Sequence, residues 1–349
     1  MYDFRELSNA DELRGAADLL ANAGLNVPEQ YQYGTGCYFD EKIVGTGFYW
    51  QQTLMGICVH PAQRNNGLVH TIITHLMQYG QQFDASHFFI FTKKSQAHSF
   101  LHSGFSVVAA TDEAALLEFG WPNFSYWAKQ VRQALPPNLL GKHVGAIVMN
   151  ANPFTLGHQY LVEEAAAQSD HLLVFVVQED VSECPFAARL RLVEQGCAHI
   201  PDCTVLSGGA YMVSRSTFPS YFTGSERHAA VHAGLDATLF ATTIAPALGI
   251  THRFVGTEPK SPVTALYNLQ LEKGLAKASV GFSVHTRKEV AGVPISASLV
   301  RELAVRKAWD AVRPLVPETT YAWLTSKEAE GLFSSNASDV MTGYAEGQQ

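Results

Sequence analysis

Apolar residues nowhere run uninterrupted for the ~18 positions that a membrane span requires. The start of the chain, Met1 to Asp18, carries acids and no apolar core, so neither a signal peptide nor a transit peptide is expected. Cysteine is scarce: Cys37, Cys58, Cys184, Cys197 and Cys203 show no CxxC and no paired spacing. Without an export signal, buried reduced thiols explain them better than disulfides or zinc ligands. The 14 histidines form no HExxH, so no protein-borne metal site is expected. Positive charge is in deficit, with 24 Lys and Arg against 32 Asp and Glu, a net of −8. No overall positive field exists to hold a nucleic-acid backbone or an anionic membrane. Neither partner is expected, and any phosphate site must be local. What remains is a cytoplasmic globular chain, 47% hydrophobic and only 16% charged. At about 150 residues per domain it is long enough for two.

Two composition breaks organise it. Leu135 to His143 (LPPNLLGKH) interrupts a helical run with paired prolines, Asn and Gly. After about Lys327 the chain turns polar, a composition that suggests fraying. The expected division is a first domain over 1–135, a linker over 136–143, a second domain over 144–326 and a tail over 327–349. The first domain reads as a helix over Ala10–Ala23 and strands at Gly36–Phe39, Ile43–Trp50 and Leu54–Val59. A helix over Gly67–Gln81, a strand at His87–Phe91 and a helix ending at Gly104 follow. After the linker, strand and helix alternate: Val144–Met149, Gly157–Gln168, His171–Val177, Phe186–His199, Thr204–Leu206, His252–Gly256 and Ser261–Lys273. A short strand near Ile295 and a helix from Ser296 to Lys307 complete the series. That alternation predicts an α/β fold with a doubly wound, Rossmann-like parallel sheet, whose ligands sit at the carboxyl ends of the strands.

The most informative segment is Val144-Gly-Ala-Ile-Val-Met-Asn-Ala-Asn-Pro-Phe-Thr-Leu-Gly-His158. An apolar strand ends at Asn150 and Asn152, and Thr155-x-Gly157-His158 opens a helix. Unpaired N–H groups and the positive end of the dipole make a helix start an anion site. Gly157 removes a side chain where a phosphate would approach, His158 can donate from the first turn, and Thr155 offers a hydroxyl. A second such start lies at Ile295-Ser-Ala-Ser-Leu-Val-Arg301. Ser296 is a suitable N-cap, Ser298 lies in the first turn, and Arg301 can bind two phosphate oxygens at once.

Together these segments resemble the paired signatures of the HIGH-type nucleotidyltransferase superfamily. A closer resemblance is to the citrate lyase ligase family. It rests on Val177 to Ser182, the run Phe186 to Val193, Ser207 to Phe222 with its Thr217-Phe-Pro-Ser-Tyr-Phe222 core, Val255 to Pro259, and Pro262 to Thr264 with Tyr267-Asn268. The resemblance implies an AMP-forming, acid–thiol ligase. Acetate would attack the α-phosphate of ATP, giving acetyl-adenylate and pyrophosphate. The thiol of the CoA-like prosthetic group on the citrate lyase acyl-carrier subunit would then take the acetyl group. It also implies that His158, Arg301 and Thr155 serve catalysis, while Mg²⁺ rides on the triphosphate. Gly256, Thr257 and Glu258 read either as nucleotide contacts or as a plain turn. Ser214, Arg215, Thr217 and Tyr221 read either as an acetate site anchored by Arg215 or as core with a solvated Arg. Glu179, Asp180 and Glu183 read as a solvated loop, and Arg189 as a helix-surface side chain that could reach phosphate. Two other readings of the motifs stand beside the ligase: an adenylyltransferase acting on a small phosphorylated acceptor, and a non-catalytic nucleotide-binding docking module.

In the first domain, Ile57-Cys-Val-His-Pro-Ala-Gln-Arg-Asn-Asn-Gly-Leu-Val69 resembles the acetyl-CoA loop of GNAT acetyltransferases, and Phe100 to Phe105 a later GNAT motif. Gln63, Arg64, Asn65, Asn66 and Gly67 fit the loop, and Val69 stands where a small residue is usual. The resemblance implies a GNAT-like α/β domain. It either holds the carrier's CoA-like arm or serves for structure and docking.

Overall fold

The computed structural model describes residues 1–64, 66–178, 182–212, 225–257 and 262–333, without the side chains of 225–229 and 262–266. The chain forms two compact units. Unit one comprises Met1–Gln130, Arg215–Ile244 and Leu266–Gly274, and unit two comprises Val131–Ser214, Ala245–Ala265 and Leu275–Gln349. Packing thus adds residues from beyond the 136–143 linker to the first unit.

Unit one is built on a seven-stranded sheet in the order β1-β2-β3-β4-β5-β7-β6. Its strands are β1 (Asp3–Glu6), β2 (Tyr33–Phe39), β3 (Lys42–Trp50), β4 (Thr53–Val59), β5 (His87–Lys93), β6 (Ser106–Ala110) and β7 (Ala114–Gly120). The helices α1 (Ala10–Asn22), α2 (Leu68–Gln81), the single turn α3 (His98–Leu101) and α4 (Phe124–Ala134) accompany it, α4 running across the division between the units. Asn9 starts α1 with a capping box closed by Glu12, which fixes the start against fraying. Asp40 and Glu41 turn β2 into β3 with φ of 48° and 59°, the positive values a tight hairpin needs. β4 and β5 run parallel but pair only at Thr53–Phe89 and Leu54–Ile90. Beyond those pairs the two strands line a cavity instead of each other.

Unit two is the parallel sheet predicted from the strand–helix alternation, in the order β10-β9-β8-β11-β12. Its strands are β8 (Val144–Met149), β9 (His171–Val176), β10 (Cys203–Ser207), β11 (His252–Gly256) and β12 (Gly281–His285). β9 is buried along its whole length, as a strand covered on both faces must be. Helices α5 (Leu156–Ala166) and α6 (Phe186–Cys197) follow β8 and β9. After β10 come α7 (Ser225–Leu239), which belongs to unit one, α8 (Ala245–Leu248), which belongs to unit two, and, after β11, α9 (Pro262–Lys277), which the two units share. A two-residue hairpin of β13 (Glu289–Val290) and β14 (Val293–Pro294) leads into α10 (Ala297–Val305), α11 (Trp309–Val312) and α12 (Glu318–Leu324). Phe154, Phe254, Val300 and Leu324 join one apolar core with the strands. Sequence order reverses at β8, with β9 on one side and β11 on the other. That point is where a doubly wound sheet opens a crevice at its carboxyl ends.

α7 and α8 carried no sequence expectation, whereas α9 falls on the helix expected over Ser261–Lys273. α7 packs on β6 and β7, Thr243 donates to the Val108 carbonyl at 2.9 Å, and the Tyr267 hydroxyl donates to Asp236 at 2.5 Å. The five cysteines are free, four of them buried. Burial pushes the thiols of Cys184 and Cys197 up to about 12, so neither is a ready nucleophile.

Candidate active site

The crevice holds a cavity of about 670 Å³, lined by the end of β8, the starts of α5 and α10, and the segment after β12. Two helix N-termini therefore open onto one space. Gly157 helps them approach: a Cβ there would lie 3.3 Å from the Ile295 carbonyl oxygen, so a larger residue would require the segment entering α10 to give by a few tenths of an ångström.

Thr155 starts α5 in extended backbone, and its Oγ1 accepts the His158 backbone N–H at 3.3 Å. In return the Thr155 backbone N–H donates to His158 Nδ1 at 3.1 Å. This is a capping box with histidine in the place of glutamate. A ring nitrogen that accepts a backbone N–H carries no proton, so the proton of the neutral ring is on Nε2. Burial, with the charge of Arg287 adding to it, pushes His158 down to about 4. His158 is therefore a neutral hydrogen-bond donor across the whole neutral range. The hydroxyl of Thr155, expected to face phosphate, is engaged in the cap and only 1% exposed. Its place in the site is to orient His158.

Ser296 caps α10 by accepting the Leu299 N–H at 3.2 Å, and Ser298 is exposed on the cavity wall. Arg301 donates from Nε to Glu183 at 2.9 Å and from Nη1 to the Asn152 carbonyl at 2.7 Å. Only two of the five guanidinium N–H groups are used in these bonds. Asn152 is itself buried, accepting the Cys184 N–H at 2.9 Å and donating to Glu183 at 2.5 Å. Glu183, expected in a solvated loop, is thus the group that sets the direction of Arg301. Asn150 and Asn152 line the cavity, but their side chains are tied to the 182–184 segment and to Arg189.

Arg189 corrects a second expectation. It is neither on the helix surface nor directed to phosphate: it is fully buried. Its Nε donates to Cys184 O at 3.0 Å, and Nη1 reaches Asn150 O, Asn150 Oδ1 and Val177 O at 2.7–2.8 Å. The side chain clamps the turn after β8 to the end of β9.

Gly256 lines the cavity. Thr257 acts one step back, its carbonyl accepting Arg287 Nε at 2.7 Å. Glu258 lies outside the described residues, as do Asn65 and the acetate candidates Ser214, Arg215, Thr217 and Tyr221. His285, Thr286 and Arg287 line the cavity and had no sequence expectation. The only trace of them in the sequence is a basic pair, Arg287-Lys288, which a solvated turn would show equally. Among the described residues, no group of three His, Cys, Asp or Glu is placed to hold a metal ion.

In unit one the space between β4 and β5 is a second cavity, of about 710 Å³. Gln63, Arg64, Gly67 and Val69 line it with Lys93 and Ser103. Gly67 takes φ 72° at the start of α2, a left-handed value that favours glycine. Gln63 and Asn66 are bonded to one another and to Tyr2.

Comparison with known proteins matches the citrate lyase ligase C-terminal domain family over residues 144–324. The sequence is 39% identical to a [citrate [pro-3S]-lyase] ligase of Klebsiella pneumoniae, over 82% of this chain and 84% of that protein. The chain belongs to the citrate lyase ligase family. Proteins of the same name from Escherichia coli and Haemophilus influenzae are 37% and 36% identical, over 82% and 86% of this chain and 82% and 91% of their own lengths. Residues 3–105 match the GNAT acetyltransferase family. The chain is thus an enzyme of the ligase class with a GNAT domain at its N-terminal end. No helix among the described residues is long and apolar enough to cross a membrane.

Proposed function

We propose that the enzyme uses ATP to acetylate the thiol of the prosthetic group on the citrate lyase acyl-carrier subunit, and so activates citrate lyase. Acetate attacks the α-phosphorus of ATP, pyrophosphate leaves, and acetyl-adenylate forms. The carrier thiol then attacks the acyl carbon and AMP leaves. The observation that carries this reading is the meeting of two helix starts, His158 Nε2–H and Arg301 on one cavity. Fixed donors of this kind stabilise charge that develops on the transferred phosphoryl group and on departing pyrophosphate. Mg²⁺ would be held largely by oxygens of the triphosphate. The unit-two thiols of buried Cys184 and Cys197 and of half-buried Cys203 are reluctant to ionise, in keeping with an acceptor thiol that arrives on the partner. With ATP, Mg²⁺, acetate and thiol-form citrate lyase, pyrophosphate should appear only when acetate is present, in step with recovered lyase activity. Acetate-independent release, or none with the lyase thiol intact, would count against the reading.

For the carrier's CoA-like arm we propose the cavity between β4 and β5. Its support is the α2 N-terminus behind Gly67, with Arg64 and Lys93 also lining the cavity. The full chain should bind CoA in calorimetry, and Arg64→Glu should weaken it about tenfold, the size of a lost charge-assisted contact. No heat with either CoA or the holo carrier would remove this assignment.

A further inference from the structure

We propose that Arg287 is a third phosphate-binding group of the unit-two cavity, a ligand for the triphosphate of ATP and for pyrophosphate. The inference rests on the reading of that cavity as an ATP site. Arg287 lies two residues past β12, the edge strand of the sheet, in neither helix-start motif but next to Lys288, whose carbonyl accepts the Ile295 N–H at 3.0 Å. Two bonds to Thr257 hold it: its backbone N–H donates to Thr257 Oγ1 at 3.3 Å and its Nε to Thr257 O at 2.7 Å. The Thr257 N–H in turn donates to His285 O at 2.8 Å, so the ends of β11 and β12 form one frame around the guanidinium. A bond through Nε fixes the plane of the fork, which is how an arginine is pre-set for a two-oxygen contact.

Charge argues in the same direction. Arg287 is partly withdrawn from water, which by itself disfavours its charge. Its field also reaches His158 and disfavours a proton there. Arg301 and two helix N-termini add positive potential to the same space, while Glu183, bonded to Arg301, and Glu302 on the wall offset part of it. A polyphosphate bound there would meet this positive potential.

The probe is inorganic pyrophosphate, titrated calorimetrically into the full chain, Arg287→Met and Arg287→Lys. Arg287→Met should raise the Kd about 10- to 100-fold, the range for charge-assisted hydrogen bonds, with an unchanged thermal midpoint. Arg287→Lys keeps the charge and should recover part of that loss. A Kd for Arg287→Met within threefold of the wild type overturns the inference while the ATP reading stands. So does equal weakening in both variants together with a lower midpoint, which would make Arg287 a brace of the β11–β12 frame. A wild type that binds no pyrophosphate overturns both.

Discussion

His158→Ala is expected to lower kcat/KM for ATP about 10²- to 10³-fold, the usual effect of deleting one fixed donor to developing charge. The fold should survive, because the α5 cap keeps its Thr155 Oγ1 to backbone N–H bond. The pH profile carries a second expectation. His158 sits near 4 in the free enzyme, and kcat/KM reports the free enzyme. The wild type should therefore show no inflection near the ordinary histidine value of about 6.5 that His158→Ala abolishes. Stability follows the same linkage. The folded-state value is depressed, so below about 6.5 the unfolded chain takes up the proton more readily. The contribution of the neutral ring is intact above that pH and is lost as pH falls towards about 4. Chemical denaturation at pH 7 and pH 5, for wild type and His158→Ala, reads this out. An alanine variant with undiminished turnover would show that catalysis does not depend on this donor.

Arg189→Met should be the most damaging substitution in unit two that touches no substrate. It strands Cys184 O, Val177 O and Asn150 O, all now served by one buried guanidinium, and leaves Asn150 Oδ1 to the Ser182 hydroxyl. Breaking a buried charged network of this kind costs about 3–5 kcal/mol. In a domain of this size that is a fall of about 10 °C in Tm. Arg189→Lys cannot replace the fork, since an ammonium has one nitrogen to place where the guanidinium uses two. Thermal melting of the full chain checks both, and a drop of under about 1 kcal/mol would return Arg189 to the surface role.

These two residues show where the sequence was readable. β8, α5 and the Thr155-x-Gly157-His158 start announced themselves because strand and helix periodicity change abruptly across a short turn. The parallel sheet was legible from its apolar runs, above all Val144–Met149, which the structure reproduces residue for residue. Arg189 and Glu183 were not legible. A helix carrying Arg189 and a loop carrying Glu183 look solvated until long-range packing buries one and pairs the other with Arg301. β12 and its Arg287 escaped for a related reason. Gly281–His285 alternates weakly, and its burial is intermediate, so it has no run of apolar residues to mark it. The α7 stretch went unread because its partners lie far away in sequence: Thr243 reaches back to Val108. Local pattern identified elements that carry their own signal, and tertiary contact decided the rest.

The central claim is that acetate becomes bonded to the α-phosphorus before the thiol acts. Acetate labelled with ¹⁸O in both oxygens, supplied with ATP, Mg²⁺ and thiol-form citrate lyase, tests it in a single turnover. The account predicts one ¹⁸O atom in each AMP formed and none in pyrophosphate. AMP without label, or label in a phosphate product other than AMP, would contradict it.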